Sequence, residues 1–192
     1  MAHSLTDFKS KLVGGGARPN LFEVQITKSD LPSGIAQLDD DVFKYMCKAA
    51  NLPASNVAAI DVPFRGRTFK VAGDRTFDNW TITIINDTDF KIRRTMEEWA
   101  QFVANYQEAS GATNPSTYMA NATVKHLGRK KSNIGYGKGN SKGTGLEDIA
   151  KYTFQDIYPV NISAIDLSYD TTDTVEEFTV EFAVNYWYPE KV

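Results

Sequence analysis

The residues that could act chemically are few, and their spacing is poor for it. Nucleophilic catalysis needs a serine or cysteine beside a histidine that a third group holds in place. Only His3 and His126 occur, one in an N-terminal arm and one in a basic stretch, and the single cysteine is Cys47. In an extended chain Cys47 shares a face with Phe43 and Tyr45, which predicts a buried thiol rather than a nucleophile. No two Cys or His residues stand at a metal-ligand spacing, so no metal site is expected. Asp39, Asp40 and Asp41 adjoin but lack the alternation and the later glutamate of a calcium loop, and read as a solvated acidic loop. The pairs Glu97–Glu98 and Glu176–Glu177 are sequence neighbours, which on a helix or a strand point in different directions. Neither an enzymatic activity nor a cofactor is expected.

The stretch Ser132–Gly145, SNIGYGKGNSKGTG, has the glycines of a phosphate cradle but not its spacing. Neither Gly-x-x-x-x-Gly-Lys-Ser/Thr nor Gly-x-Gly-x-x-Gly can be read from it, and no helical pattern opens behind it. A mobile, basic, glycine-rich loop over 129–146 is the reading. Between Lys125 and Gly145 lie six positive residues and no carboxylate, although the whole chain has a formal charge of −3. The rest of the chain is therefore acidic, against the positive excess usual in nucleic-acid binders.

Length, 192 residues, suits one domain with a sizeable core. A lone cysteine points to a reducing compartment. The N-terminus lacks an apolar signal region, and no stretch approaches a membrane span, so a soluble protein made in a cytoplasm is expected.

These residues must be positioned mainly by strands. Residues 1–20 form an arm, with Leu5, Phe8 and Leu12 at helical spacing before Gly14, Gly15 and Gly16. Phe22, Val24 and Ile26 alternate as one face of a strand, the period-2 pattern of a half-buried sheet. After a loop over 29–41, a strand is expected at 42–49, with extended segments at 57–62 and 67–71 around the turn Phe64-Arg65-Gly66. Ala72-Gly73-Asp74-Arg75 reads as a turn, and Trp80, Ile82 and Ile84 as the buried face of the strand that follows.

One long helix is predicted at 88–107, where Ile92, Met96, Trp99, Phe102, Val103 and Tyr106 recur at helical spacing as a core stripe. Asn86, Asp87 and Thr88 are its candidate caps. The last third reads as strands at 151–158, 163–169 and 175–188. The final one, with Phe178, Val180, Phe182, Val184 and Tyr186 on one face, would span about 46 Å as a continuous strand.

Three stretches carry a resemblance: Ala17-Arg18-Pro19-Asn20-Leu21-Phe22-Glu23-Val24, Val71-Ala72-Gly73-Asp74-Arg75-Thr76-Phe77-Asp78-Asn79-Trp80-Thr81, and Phe178-Thr179-Val180-Glu181-Phe182-Ala183-Val184-Asn185-Tyr186-Trp187. In them the chain resembles the tail tube proteins of T4-like contractile-tailed bacteriophages. Cys47-Lys48-Ala49 leading to Leu52-Pro53, Asn86-Asp87 before the helix with Trp99, and Tyr158-Pro159 extend the likeness to nearly the whole chain. At 28–41 and 129–146 it looks longer than that pattern.

The resemblance implies a mainly β subunit, sandwich or barrel-like with one flanking helix, whose inner sheets merge into a hexameric ring barrel. Rings would stack into the inner tube that conducts DNA. Arg18, Pro19, Asn20, Gly73, Asp74, Arg75, Phe77, Trp80 and Trp187 are the motif positions expected in structural or subunit-contact roles. The implied partners are further copies of the chain, the tail sheath protein, the baseplate tube initiator, the tail terminator, and, in the lumen, the tape measure protein and phage DNA without sequence-specific binding. A membrane is not among them. The location would be the virion tail.

Two other readings share some of these features. A tube initiator would add a docking domain, which the sequence does not show, and a tube of a related secretion or injection machine would share the architecture. A β module binding single-stranded nucleic acid would interleave aromatics with positive charge, whereas the last strand interleaves them with glutamates.

Overall fold

The computed structural model describes residues 4–12, 16–35, 38–108, 110–131 and 146–191. Among them are three helices, α1 (Leu5–Lys11), α2 (Asp40–Met46) and α3 (Lys91–Val103). The strands are β1 (Phe22–Ile26), β2 (Cys47–Ala50), β3 (Ser55–Phe64), β4 (Arg67–Phe77), β5 (Trp80–Ile85), β6 (Ala120–Lys131), β7 (Leu146–Ile162), β8 (Glu177–Ala183) and β9 (Tyr186–Glu190). All but β3 and β4 form one antiparallel sheet in the order β1-β6-β7-β8-β5-β2, with β9 also on β7.

The long strand β7 organises this sheet. One side of it takes β6, from Ala120↔Ile157 to Lys131↔Leu146. The other takes β8 and then β9 in one continuing register, Tyr158↔Ala183 followed by Gln155↔Tyr186. The interruption falls at Val184–Asn185, opposite Asp156, whose φ of 56° lies in the left-handed region. An extra residue in that conformation bends a strand and flips its alternation. Phe154 and Ile157 are accordingly both buried, three positions apart. The single strand expected over 175–188 is therefore two strands on one line, kinked where β7 kinks.

Asn121 fixes the kink. Its Oδ1 accepts the Asp156 N–H at 3.2 Å, its Nδ2 donates to Asp30 Oδ2 at 2.7 Å, and its carbonyl accepts the Thr27 N–H at 2.7 Å. Removing the side chain strips two of these bonds and leaves a part-buried backbone N–H without its acceptor. Asn121→Ala should cost about 1–3 kcal/mol, measured as a lower urea midpoint with an unchanged slope.

The bent sheet curls around a core of Val24 and Ile26 from β1, Trp80, Ile82 and Ile84 from β5, Ala122 and Val124 from β6, Phe154 from β7, and Phe178, Val180 and Phe182 from β8. Trp80 stacks on Phe154 with centroids 4.7 Å apart and lies tilted on Phe182 at 5.4 Å. Helix α3 closes one side with Ile92, Met96 and Trp99. The Trp99 ring meets Phe182 at 5.8 Å while its N–H donates to the Tyr118 carbonyl at 2.7 Å. The sheet does not close on itself among the described residues, since β1 and β2 end it unpaired with each other. The result is a barrel-like sandwich, as expected, but with three helices instead of one.

Several boundaries differ from the sequence reading. Residues 42–46 are helical, not strand: Asp39 caps α2 by accepting the Asp41 N–H at 3.1 Å, and Asp40 and Asp41 sit in its first turn, where carboxylates suit the helix dipole. Tyr45 consequently faces solvent while Phe43 and Cys47 are buried. Helix α3 starts at Lys91, later than the expected 88, behind Phe90 at φ 52° with no side-chain cap; Asp89 instead pairs with Lys91 at 2.9 Å. Tyr106 lies beyond its end and is exposed. Residues 163–169 form no strand, and Leu167 and Tyr169 are exposed. Ala72-Gly73-Asp74-Arg75 is no turn but part of β4.

Candidate assembly interface

The pair β3 and β4 stands apart from the core. It is a two-stranded sheet of its own, registered from Ser55↔Phe77 to Phe64↔Arg67. At about 3.3 Å per residue its ten-residue strand reaches roughly 33 Å. The turn Arg65–Gly66, with φ of 45° and 80°, has both central residues at positive φ, the pattern of a two-residue hairpin turn whose twist matches its strands. The turn read at Phe64-Arg65-Gly66 is thus where it was expected.

The hairpin is two-faced. The paired positions Ile60↔Val71 and Val62↔Phe69 share one face with Phe64, and all five apolar side chains are exposed. The opposite face pairs Asp61 with Lys70, whose charged groups lie 2.8 Å apart, and Pro63 with Thr68. An isolated hairpin is marginal in water, and a contiguous exposed apolar face marks an interaction surface. Nearer the base the register shifts between Val57 and Ala59, with Gly73 and Asp74 forming the bulge on β4. A Cβ on Gly73 would lie 3.1 Å from the Ala58 carbonyl oxygen and the Ile60 Cγ1, so the close strand approach there favours glycine.

The base of the hairpin leans on β9. Phe77 meets Trp187 edge-on at 6.1 Å, and Tyr152 meets the same ring at 5.8 Å. Beyond β7, β9 has no partner strand among the described residues, leaving an open edge beside the hairpin. Tyr186 and Tyr188 stack at 6.3 Å and are both exposed. Open edges of this kind template pairing with another chain.

A clamp holds β9 down. Glu190 accepts hydrogen bonds from Lys151 Nζ at 2.6 Å and from the Thr153 hydroxyl. These bonds, Lys151 first, hold its carboxyl below the ordinary 4.5. A depressed carboxylate contributes fully above its ordinary pKa and loses that contribution as pH falls through the depressed one. Acidification below about 4.5 should therefore loosen β9 first, seen as faster exchange of its amides, and Glu190→Gln should flatten that dependence.

The motif positions separate into three groups. Phe77 and Trp187 come together at the hairpin base, while Trp80 lies buried in the core against Phe154 and Phe182. Gly73, Asp74 and Arg75 belong to the bulged part of β4. Arg18, Pro19 and Asn20 lie apart from both, in the turn that enters β1, where the Arg18 carbonyl bonds the Leu21 N–H at 3.2 Å and lies 2.8 Å from His126 Nε2. The sequence reading saw the extended pieces of the hairpin without their shared apolar face, although the alternation Ile60, Val62, Phe64 was the signal. It missed β6 altogether. The segment 132–145 of the basic loop, Gly14 and Gly15 of the arm, and His3 lie outside the described residues; the paired ends Lys131 and Leu146 show that the loop joins β6 to β7.

Burial pushes the Cys47 thiol up to about 12, opposite to what a nucleophile needs. Among the described residues no group of three or more His, Cys, Asp and Glu could hold a metal ion, and no helix is long and apolar enough to cross a membrane.

Comparisons with known proteins place the chain in a family. The chain is 30% identical over 174 residues to tail tube protein gp19 of Enterobacteria phage T4, covering 91% of this chain and 92% of that one. The same protein of Enterobacteria phage T6 matches with equal identity and coverage. In fold, the chain is similar at a TM-score of 0.61 and 10% identity to a chain of the cryo-EM sheath-tube complex of an extracellular contractile injection system, PVC, in the extended state, over the full length of both. The sequence profile of the phage tail tube protein family matches residues 17–190, from the turn before β1 to the end of β9. With the family's profile matched across every strand and relatives 30% identical over nine-tenths of its length, the chain belongs to the phage tail tube protein family.

Proposed function

We propose that copies of this chain form six-membered rings that stack into the inner tube of a contractile phage tail, a structural conduit with no catalytic role. The protruding hairpin, with one apolar face that none of the described residues covers, carries this reading. A head-to-tail contact that closes gives a ring, and a second that does not close gives a filament. The open edge of β9 and the hairpin beside it can join neighbouring sheets into one wide barrel, which removes the edges.

Such a position in the tail brings the sheath protein, the baseplate tube initiator, the terminator and the tape measure protein as partners, with DNA passing through the bore without sequence-specific contact. The acidic balance outside the basic loop suits a wall that repels phosphates. Negative-stain microscopy of concentrated protein should show rings and tubes of uniform diameter. Particles that stay single at every concentration, even when seeded with tail baseplates, would overturn the proposal.

A further inference from the structure

At the foot of the hairpin lies a cleft of about 600 Å³, lined by Leu52, Pro53, Phe77, Asp78, Asn79 and Glu181 among others. Its apolar part is Leu52, half exposed, with Pro53 and Phe77. Its charge is negative throughout. Asp78 accepts only a long bond from Asn56 Nδ2, 3.4 Å, and Glu181 accepts one from Asn79 Nδ2 at 2.8 Å. A carboxylate offers about four acceptor positions, so both keep capacity for further donors.

The other end of the same hairpin has the matching chemistry. Its tip presents Phe64, two-thirds exposed, with Arg65 lying over that ring at 5.4 Å and Arg67 paired across the turn. Among the described residues neither arginine, nor Asp78, nor Glu181, takes part in an ion pair. A tip carried roughly 33 Å along a paired two-stranded arm cannot fold back into the cleft at its own foot. Only another molecule can bring the two together.

We propose that the hairpin tip of one copy docks in the basal cleft of the next. Phe64 rests on Leu52 and Phe77, and the guanidiniums of Arg65 and Arg67 pair with Asp78 and Glu181. The contact rests on the self-assembly reading above and deepens it by naming the two complementary surfaces. It is head-to-tail, so it propagates from copy to copy rather than ending at a dimer. The planar guanidinium fork suits carboxylates at an interface, and such pairs fix register and exclude wrong partners.

Charge reversal tests this. Arg65→Glu/Arg67→Glu and, separately, Asp78→Arg/Glu181→Arg should each raise the critical concentration for tube formation by on the order of tenfold or more, with monomer melting close to wild type. Mixed in equal amounts and alternating along the array, the two variants present opposite charges at every contact, so tubes should return; the fourfold variant on one chain should also assemble. If Glu181→Arg impairs folding, Asp78→Arg alone takes its place in the mixture. Tubes from each variant alone at the wild-type concentration, or folded variants whose mixture stays unassembled, would overturn the docking while leaving self-assembly intact. A wild-type protein that never assembles would remove both.

Discussion

A chain carrying Val62→Asp and Phe69→Asp is expected to remain a folded monomer at concentrations where the wild type forms tubes. The two residues face each other across β3 and β4 in the middle of the apolar face. Covering a Val and a Phe contributes about 1.5–3 kcal/mol each, and a carboxylate forced into that contact adds a desolvation cost of its own. Since about 1.4 kcal/mol is tenfold in an association constant, several orders of magnitude of affinity are at stake at every subunit contact. The cost to the monomer should stay small, because both side chains are exposed there and exposed substitutions usually fall within about 0.5 kcal/mol. Sedimentation would read the assembly state and circular dichroism the fold. Tubes at wild-type concentration would show that this face is not where copies meet.

Trp80→Ala should have the largest effect on stability. The indole is fully buried, stacked on Phe154, tilted on Phe182, and donates to the Asn51 carbonyl at 3.0 Å. Truncating a buried aromatic costs about 3–5 kcal/mol, and the carbonyl left without its donor adds to that. Against a total of about 5–15 kcal/mol this is a large share. With about 2–4 °C lost per kcal/mol in a chain of this size, the melting temperature should fall by roughly 10 °C or more. Trp80→Phe, which keeps a ring between Phe154 and Phe182, should lose distinctly less. A shift of only about 2 °C, within a single kcal/mol, for the alanine variant would mean that this stack is not the centre of the core.

The parts legible in the sequence were those where one face of an element is buried. Val24 and Ile26, Trp80, Ile82 and Ile84, and Phe178, Val180 and Phe182 alternate because each belongs to a strand with a core side. Helix α3 shows its stripe for the same reason, although its start was misplaced: Asn86, Asp87 and Thr88 offer caps that the chain does not use, since Phe90 enters the helix from a left-handed conformation. Where periodicity was too short to decide, end chemistry decided instead. Asp39 to Asp41 look like a solvated loop until Asp39 is seen capping a seven-residue helix.

Propensity misled where the chain leaves the sheet. Ile165, Leu167 and Tyr169 alternate, yet after Ser163, which still bonds Thr179 of β8, the chain leaves the sheet, and only Ile165 packs against the core while Leu167 and Tyr169 are exposed. Strand β6 went unseen because its second half carries Lys125, His126 and Arg129, so that half read as a basic stretch running into the glycine-rich loop. The candidate interface was only half visible. Its turn and motif residues could be read, but which side of the hairpin lacks a cover depends on cross-strand register, and that appears only when β3 and β4 are paired.

The lone thiol has a consequence for the finished particle. A tube repeats every side chain at regular intervals, so a reactive Cys47 would place sulfurs in a periodic array, open to peroxide and to bridging between neighbours once the virion leaves its host. Sealed behind the core, where burial pushes its pKa up to about 12, Cys47 stays in the thiol form at neutral pH, and the ionised form is what reacts. The same burial that fills a gap in one subunit thus gives the whole tail chemical durability in oxygenated surroundings.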